Sequence, residues 1–326
     1  MKNFWKDKKV LVTGAAGFIG SHAVDALLEK GALVTAVVSP KTEREKINQS
    51  LGHALKSITV KKADLLILED CLKVTRNQDI IFNFAAMDGG MQFKVKYPAK
   101  IFQVNTQITL NMLEAASKNK IERFLLMSSI DVYYPTSHVF LKEGKEFNKN
   151  IGNTIEGYAW AKRLAELAAK MYYKQYNLQI AIARAGNVYG PRDHLSAERG
   201  RVIPSLISQS LSGRDLTVFG NGKQKKSFLF VTDLIQALLL LVEKYAVGDP
   251  VNIASRKSIT IKELAELINK YTGTGNKILL KDEGMPMIKA NKIALSKMKK
   301  VIGFREKKSL INGLKETIDF YRSNKK

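Results

Sequence analysis

Tyr158 and Lys162 stand four residues apart in the stretch YAWAK. In a helix that spacing puts a phenol and an ammonium on one face, with Cβ atoms about 6 Å apart. A cation beside a phenol favours the phenolate, bringing proton exchange closer to neutrality than an isolated tyrosine with a pKa of about 10 allows. The same pair also suits an ordinary helix face, so the chemistry needs support from elsewhere in the chain. Support begins in TGAAGFIGS, where Gly14, Gly17 and Gly20 follow the apolar run of KKVLVTG and open a helical pattern ending at Gly31. Glycines in a strand-to-helix turn let the backbone approach a pyrophosphate, and the free N–H groups of the helix start attract it. The strand, turn and helix together predict dinucleotide binding.

The end of the next strand bears on which dinucleotide. NAD is met there by a carboxylate that accepts from the ribose diol. Here the chain reads Val38, Ser39, Pro40, Lys41 and then Arg44, with no acid at that place. Serine with nearby basic residues favours a 2′-phosphate, so the reading is NAD or NADP with NADP preferred; a solvated helix start at Lys41 and Arg44 is the alternative.

The elements that must position these groups follow from periodicity. LVTAVV (33–38), ITV (58–60), IIFNFAA (80–86), RFLLMSS (123–129) and LQIAIARA (178–185) read as buried strands, with helical patterns such as ITLNMLEAASKN between them. Alternation of this kind predicts an α/β fold, a doubly wound parallel Rossmann sheet with helices on both faces. Past residue 187 the alternation weakens. Helices are expected at 203–212, 232–245 and 260–272, separated by loops GPRDHLSAERG and VFGNGKQKK. Residues 1–186 read as the dinucleotide-binding domain, and 187–326 mainly as a smaller mixed substrate-binding lobe with part of the chain returning to the sheet.

Composition limits the function classes. The chain has 326 residues, 45% of them hydrophobic, enough to bury a large core. One cysteine, Cys71, excludes an internal disulfide framework and a cysteine-built zinc site and suits the cytoplasm. The N-terminal apolar run is too short for a signal-peptide core, and LIQALLLLV at 234–242 is too short to span a bilayer. The net charge of +23 attracts anions, yet its lysines are scattered and no aromatic residues interleave with them. That predicts a solvated basic surface serving an anionic small substrate, with neither nucleic acid nor membrane as partner. His22, His53, His138 and His194 lack metal-site spacing, so no metal is expected.

TGAAGFIG, Asp64 in KADL, NFAA, MSSIDVYYP, YAWAK, RAGNVYGP, VFGNGKQKKSF and VNIAS occur in one order along nearly the whole chain. In that series the sequence resembles the extended short-chain dehydrogenases that act on nucleotide sugars. NFAAMDGGMQF followed by YPAKIFQVN is similar to the GDP-mannose 3,5-epimerases and GDP-fucose synthases. The resemblance implies a cofactor held by Gly14, Gly17, Phe18, Ile19, Gly20, Ser39, Arg44, Asp64, Leu65, Ala85, Ala86, Asn105, Tyr158, Lys162 and Ala185. It implies Tyr158 as acid/base, with Lys162 lowering its pKa and holding the nicotinamide ribose, and Ser129 bonding the same sugar oxygen. It implies a nucleotide-diphosphate sugar met by Gly89, Gly90, Met91, Ser129, Asn187, Arg201 and Lys226, and a homodimer through the YAWAK helix.

Departures from the family pattern narrow the chemistry. Asp131 stands where related dehydratases and decarboxylases carry a glutamate base and the 3,5-epimerase a cysteine; a shorter catalytic base or a loop cap are both open. Ile130 replaces a neighbouring acid of some dehydratases. Arg201 and Val202 precede Pro204 where the 3,5-epimerase has its second acid/base lysine, which argues against 3,5-epimerisation. Lys226 replaces a usual arginine, the arginine expected near 287–291 is absent, and Asn83 replaces a histidine. The leading expectation is an NAD(P)-dependent nucleotide-sugar epimerase working through a transient 4-ketone. The alternatives are a 4-keto-sugar reductase, a 4,6-dehydratase using Asp131, and, in another class, a non-catalytic nicotinamide-binding or nucleic-acid-binding protein.

Overall fold

The computed structural model describes residues 3–133, 141–144, 155–195, 201–281 and 292–324. Strand and helix alternate through the first half: β1 (Lys9–Thr13), α1 (Phe18–Glu29), β2 (Leu33–Val38), α2 (Arg44–Leu51), β3 (Ile58–Lys62), α3 (Leu68–Thr75), β4 (Ile80–Asn83), α4 (Met91–Lys96), α5 (Pro98–Lys118), β5 (Arg123–Ser129), α6 (Glu156–Tyr176) and β6 (Gln179–Ala185). The second half is more mixed. It runs β7 (Asn187–Tyr189), α7 (Val202–Leu211), β8 (Leu216–Phe219), β9 (Lys225–Phe230), α8 (Val231–Lys244), β10 (Val247–Ile253), β11 (Ser258–Thr260), α9 (Ile261–Thr272), β12 (Ile278–Lys281), α10 (Ser296–Ile302) and α11 (Leu310–Ser323).

Seven strands form one parallel sheet in the order β3-β2-β1-β4-β5-β6-β10. Successive side chains of a strand point to opposite faces. Val10 and Val12 accordingly join the core under α1 and α8, while Leu11 joins the second core with Ile108, Met112 and Ala165 of α5 and α6. Both faces are covered, which is why these strands are unbroken apolar runs instead of alternating ones. The order reverses between β1 and β4, so the C-terminal ends of these two strands flank the crevice where such sheets bind ligands.

The helices carry their own start and stop signals. Pro98 opens α5, where its missing N–H costs nothing. Thr260 and Glu263 form a reciprocal capping box on α9, which ends at Gly273 with φ +69°. Helix α6 meets α5 closely because Gly157 has no Cβ: one placed there would lie 2.1 Å from the Pro98 carbonyl oxygen.

The second half differs from the sequence reading in strand content. VFGNGKQKK is not wholly loop, since Val218 and Phe219 end β8 and Lys225 and Lys226 begin β9. Two small sheets result, β11-β9-β7 and β12-β8. Glycines and lysines at their rims hide short strands whose apolar share is small. Strand β10 contains Pro250 and shifts register beside it, which a strand tolerates at the sheet edge, where β10 lies. No described helix is long and apolar enough to cross a membrane.

One buried ion pair fastens α6 to this sheet. Arg184 of β6 donates from Nε (2.8 Å) and Nη2 (2.5 Å) to the two carboxylate oxygens of Glu166, and neither side chain is exposed. Removing one member of such a pair strands a charge in apolar surroundings, at a cost of about 3–5 kcal/mol. Arg184→Met is expected to lower the unfolding free energy by that order in denaturant-induced equilibrium unfolding, and restoring neutrality with Glu166→Gln in the same chain recovers part of it.

Candidate active site

The glycine turn has the geometry a dinucleotide requires. Gly14 takes φ +63°, a left-handed conformation that side chains disfavour. A Cβ at Gly20 would come 2.3 Å from the Gly14 oxygen, so α1 starts as close to β1 as the backbone permits. The turn is braced by Ala15 N–H on the Val37 carbonyl (3.2 Å) and by the Ser50 hydroxyl on the Ala16 carbonyl (3.0 Å). Phe18 and Ile19 begin α1, whose N-terminus is uncapped by any side chain. These features fit the pyrophosphate of a dinucleotide, with open backbone, unpaired N–H groups and no intruding Cβ.

The strand ends around this turn carry the other expected residues. Ser39 and Arg44 are exposed just beyond β2, and the Ser39 hydroxyl accepts from Lys41 N–H (3.3 Å). Asp64 follows β3 and accepts from Leu66 N–H (3.1 Å), with Leu65 buried beside it. Ala85 and Ala86 follow β4, and Ala185 ends β6 opposite Ser129. Asn83, which the sequence leaves uninterpreted, accepts from the Thr13 hydroxyl (2.8 Å), and that hydroxyl accepts from Ala85 N–H (3.0 Å). The pair locks the ends of β1 and β4 at the mouth of the crevice. Asn105, expected beside the cofactor, has an amide that accepts from Met87 N–H (2.7 Å) and donates to Met87 O (3.0 Å), which orders the loop after β4.

Above the edge of β5 the polar groups converge. Ser129 and Tyr158 are 9% and 8% exposed. The Ser129 hydroxyl accepts from Asp131 N–H (3.1 Å), capping a single helical turn at Ile130–Val132. Asp131 in turn takes the Lys94 ammonium at 3.2 Å, and Lys94 also reaches Asp88 at 3.3 Å. Arg201, just before α7, bridges Asp88 (3.5 Å) and Asp193 (3.4 Å) while its guanidinium lies 5.6 Å from the Phe18 ring centre. Opposite charges thus alternate from Asp193 through Arg201, Asp88 and Lys94 to Asp131. Lys94, Asp88 and Asp193 were not singled out from the sequence. A lysine two residues from another in 94 KVK 96 looks like solvated surface, and only the fold reveals that its side chain is 12% exposed.

Substrate-side residues also meet here. Gly90 caps α4, and Gly89 lies so close to Phe93 that a Cβ would be 2.8 Å from the ring. Met91 begins α4; its side chain lies outside the described residues, as do residues 287–291 and His138. Asn187 donates to Ser227 O (3.1 Å), joining β7 to β9, and Lys226 lies within the electrostatic reach of Asp131 and Lys94.

The ionisation of Tyr158 differs from the sequence reading. Burial and the Asp88 carboxylate raise its pKa well above the ordinary tyrosine value, outweighing the opposing pull of Lys94. Lys162 donates to Met127 O (2.7 Å), its Nζ 5.6 Å from the Tyr158 ring centre, and burial lowers its own pKa to about 8. Its partly titrating ammonium is not what acts most on the phenol. Enclosure by the cleft walls raises Asp88, but Lys94 and Arg201 outweigh it and hold the carboxyl below its usual range. Burial works against the Lys94 proton, and Asp88 and Asp131 reverse that to hold it on. Among the described residues no group of three or more His, Cys, Asp or Glu side chains is arranged to hold a metal.

Residues 10–254 match the NAD dependent epimerase/dehydratase family. A dTDP-4-dehydro-6-deoxy-D-allose reductase of Streptomyces sp is 34% identical over 99% of this chain and 98% of its own. The solved UDP-N-acetylglucosamine 4-epimerase of Methanobrevibacter ruminantium, in complex with UDP-N-acetylmuramic acid, superposes with a TM-score of 0.87 at 30% identity over 98% of this chain and 99% of that one. UDP-glucuronic acid 4-epimerase of Bacillus cereus, in complex with UDP-glucuronic acid and NAD, gives 0.82 at 26% identity over 97% and 99%. The chain is a member of the NAD dependent epimerase/dehydratase family, an enzyme of the nucleotide-sugar class that works with nicotinamide dinucleotide.

Proposed function

We propose that this enzyme catalyses hydride transfer at C4 of a nucleotide-diphosphate sugar and runs as a reductase of the 4-keto sugar. The observation that carries the direction is the 34% identical reductase, and the buried phenol of Tyr158 suits it. Its pKa is raised by enclosure and by Asp88, so it keeps its proton at neutral pH and is ready to give it to the oxygen of a ketone being reduced. The Ser129 hydroxyl, whose oxygen is taken by Asp131 N–H, has its own proton to direct at the same sugar oxygen. A bound nicotinamide dinucleotide supplies the hydride. Gly14, Gly17 and Gly20 receive its pyrophosphate, and Lys162 its nicotinamide ribose. The absence of a carboxylate directly after β2, where Ser39 stands with Arg44 exposed further on, supports NADPH, the ordinary reductant of biosynthesis.

Arg201, Lys226 and Asn187 are assigned to the diphosphate side of the substrate. Asp131, ion-paired to Lys94, is assigned to the cluster and not to proton abstraction from the sugar. A second reading, C4 epimerisation with the dinucleotide retained, is supported by the two solved 4-epimerases. We also assign a homodimer. Phe102 of α5 and Trp160, Leu167 and Met171 of α6 are exposed by 37–57%, an apolar strip along one side of the paired helices. The lone, buried Cys71 supports a reducing, cytoplasmic setting.

Three measurements test these statements. Mixing the enzyme with nucleotide-linked 4-keto sugars and either NADPH or NADH, and following absorbance at 340 nm, should give stoichiometric oxidation with NADPH preferred. With the 4-hydroxy nucleotide sugars offered instead, and only retained dinucleotide, inversion at C4 with no net change in absorbance supports epimerisation. Tyr158→Phe should leave dinucleotide affinity near that of the native protein and slow turnover by roughly 10²-fold or more; undiminished turnover removes the phenol from the mechanism. Trp160→Glu places a charge in the apolar strip and should halve the mass measured by light scattering, whereas a native chain that is already monomeric rejects the dimer.

A further inference from the structure

The cation on the face of the Tyr158 ring is Lys94. Its Nζ lies 3.5 Å from the ring centre, against 5.6 Å for Lys162, whose ammonium points away to the Met127 carbonyl. An ammonium over an aromatic face is attracted by the ring quadrupole and gains more when the ring turns anionic. The position is built and not incidental. Asn105 orders the loop through Met87, Gly89 leaves room for Phe93 at the start of α4, and Asp88 and Asp131 grip the ammonium from two sides.

We infer that Lys94 is a positioning residue for the proton chemistry of Tyr158, taking the electrostatic role that helical spacing assigns to Lys162. The inference rests on Tyr158 as the proton-carrying group. Charged groups face the phenol from every side. Asp88 after β4 and Asp131 after β5 favour the protonated form, while Lys94 from α4 and Arg201 before α7 favour the phenolate. Lys162 lies one turn along α6, and Lys226 of β9 faces Lys94. Burial and the two carboxylates hold the phenol's pKa up, and Lys94 limits how far they do so. A proton given up during reduction leaves a phenolate with an ammonium already on its face. The two carboxylates also outweigh the burial of Lys94 and hold its proton on, so its charge is present throughout the working pH range.

The test labels the protein uniformly with 3-fluorotyrosine, which makes every phenol more acidic, and follows fluorine resonances against pH. Loss of one resonance in Tyr158→Phe assigns residue 158. Lys94→Met is expected to move the titration midpoint of that resonance upward by about one unit or more, and Lys94→Arg to leave it near the native position. Asp131→Asn, which removes a repelling carboxylate from the same cluster, should move it downward and serves if Lys94→Met does not fold. The alkaline fall of the reductive kcat profile should follow the same order. An unmoved midpoint in Lys94→Met, or in Asp131→Asn where that variant stands in, overturns the inference. Because the resonance reports the phenol without turnover, this outcome is distinct from an active Tyr158→Phe, which overturns the acid/base reading itself.

Discussion

The carboxylate of Glu166 is the constraint on which the site depends. It sits eight residues after Tyr158 and four after Lys162, on one face of α6. It takes the Arg184 guanidinium from β6 and the Ser128 hydroxyl from β5 at 2.5 Å, immediately before Ser129. Arg184 also donates to the Tyr133 hydroxyl, which donates to Asn252 of β10. A single buried anion therefore sets the height of α6 over three adjacent strands. The buried pair contributes less to net stability than its contacts suggest, because both ions are desolvated. What it confers is placement. The phenol, the Lys162 ammonium and the Ser129 hydroxyl come from different elements, and their relative positions are tied to one point.

A second layer of charge lies above that point. Charged groups with little access to water are kept where they are paired. Here Asp193, Arg201, Asp88, Lys94 and Asp131 alternate in sign, three carboxylates against two cations. The arrangement joins the loop after β4, the turn after β5 and the segment leading into α7, none of which is covered by the hydrogen-bond ladder of the central sheet. Ion pairs join these segments to one another.

Legibility in the sequence follows from this division. LVTAVV and RFLLMSS coincide with β2 and β5 to the residue because a parallel strand buried on both faces is apolar throughout. β10 was less visible, since Pro250 argues against a strand anywhere but an edge. β8 and β9 sit in glycine- and lysine-rich text whose pattern is loop-like. Ser129, Tyr158 and Lys162 were legible as types at strand ends and helical spacing. The ionisation of Tyr158 and Lys162 was not, because enclosure and the neighbours Asp88 and Lys94 are set by tertiary contacts from elements far away in the chain. Asn105 and Asn83 illustrate the same limit: both are polar residues near the crevice, and only the fold brings Met87 to one and Thr13 to the other.

The alternating charges at the mouth of the cleft have a bearing on how anions enter. The strong positive balance of the whole molecule draws anions from a distance, but at the cleft Arg201 and Lys94 are already matched by carboxylates. An anion that pairs with Arg201 or Lys94 competes with a resident carboxylate, in the manner of an ion-exchange resin. Singly charged metabolites gain little from such a swap, whereas a pyrophosphate group offers enough negative charge to compete.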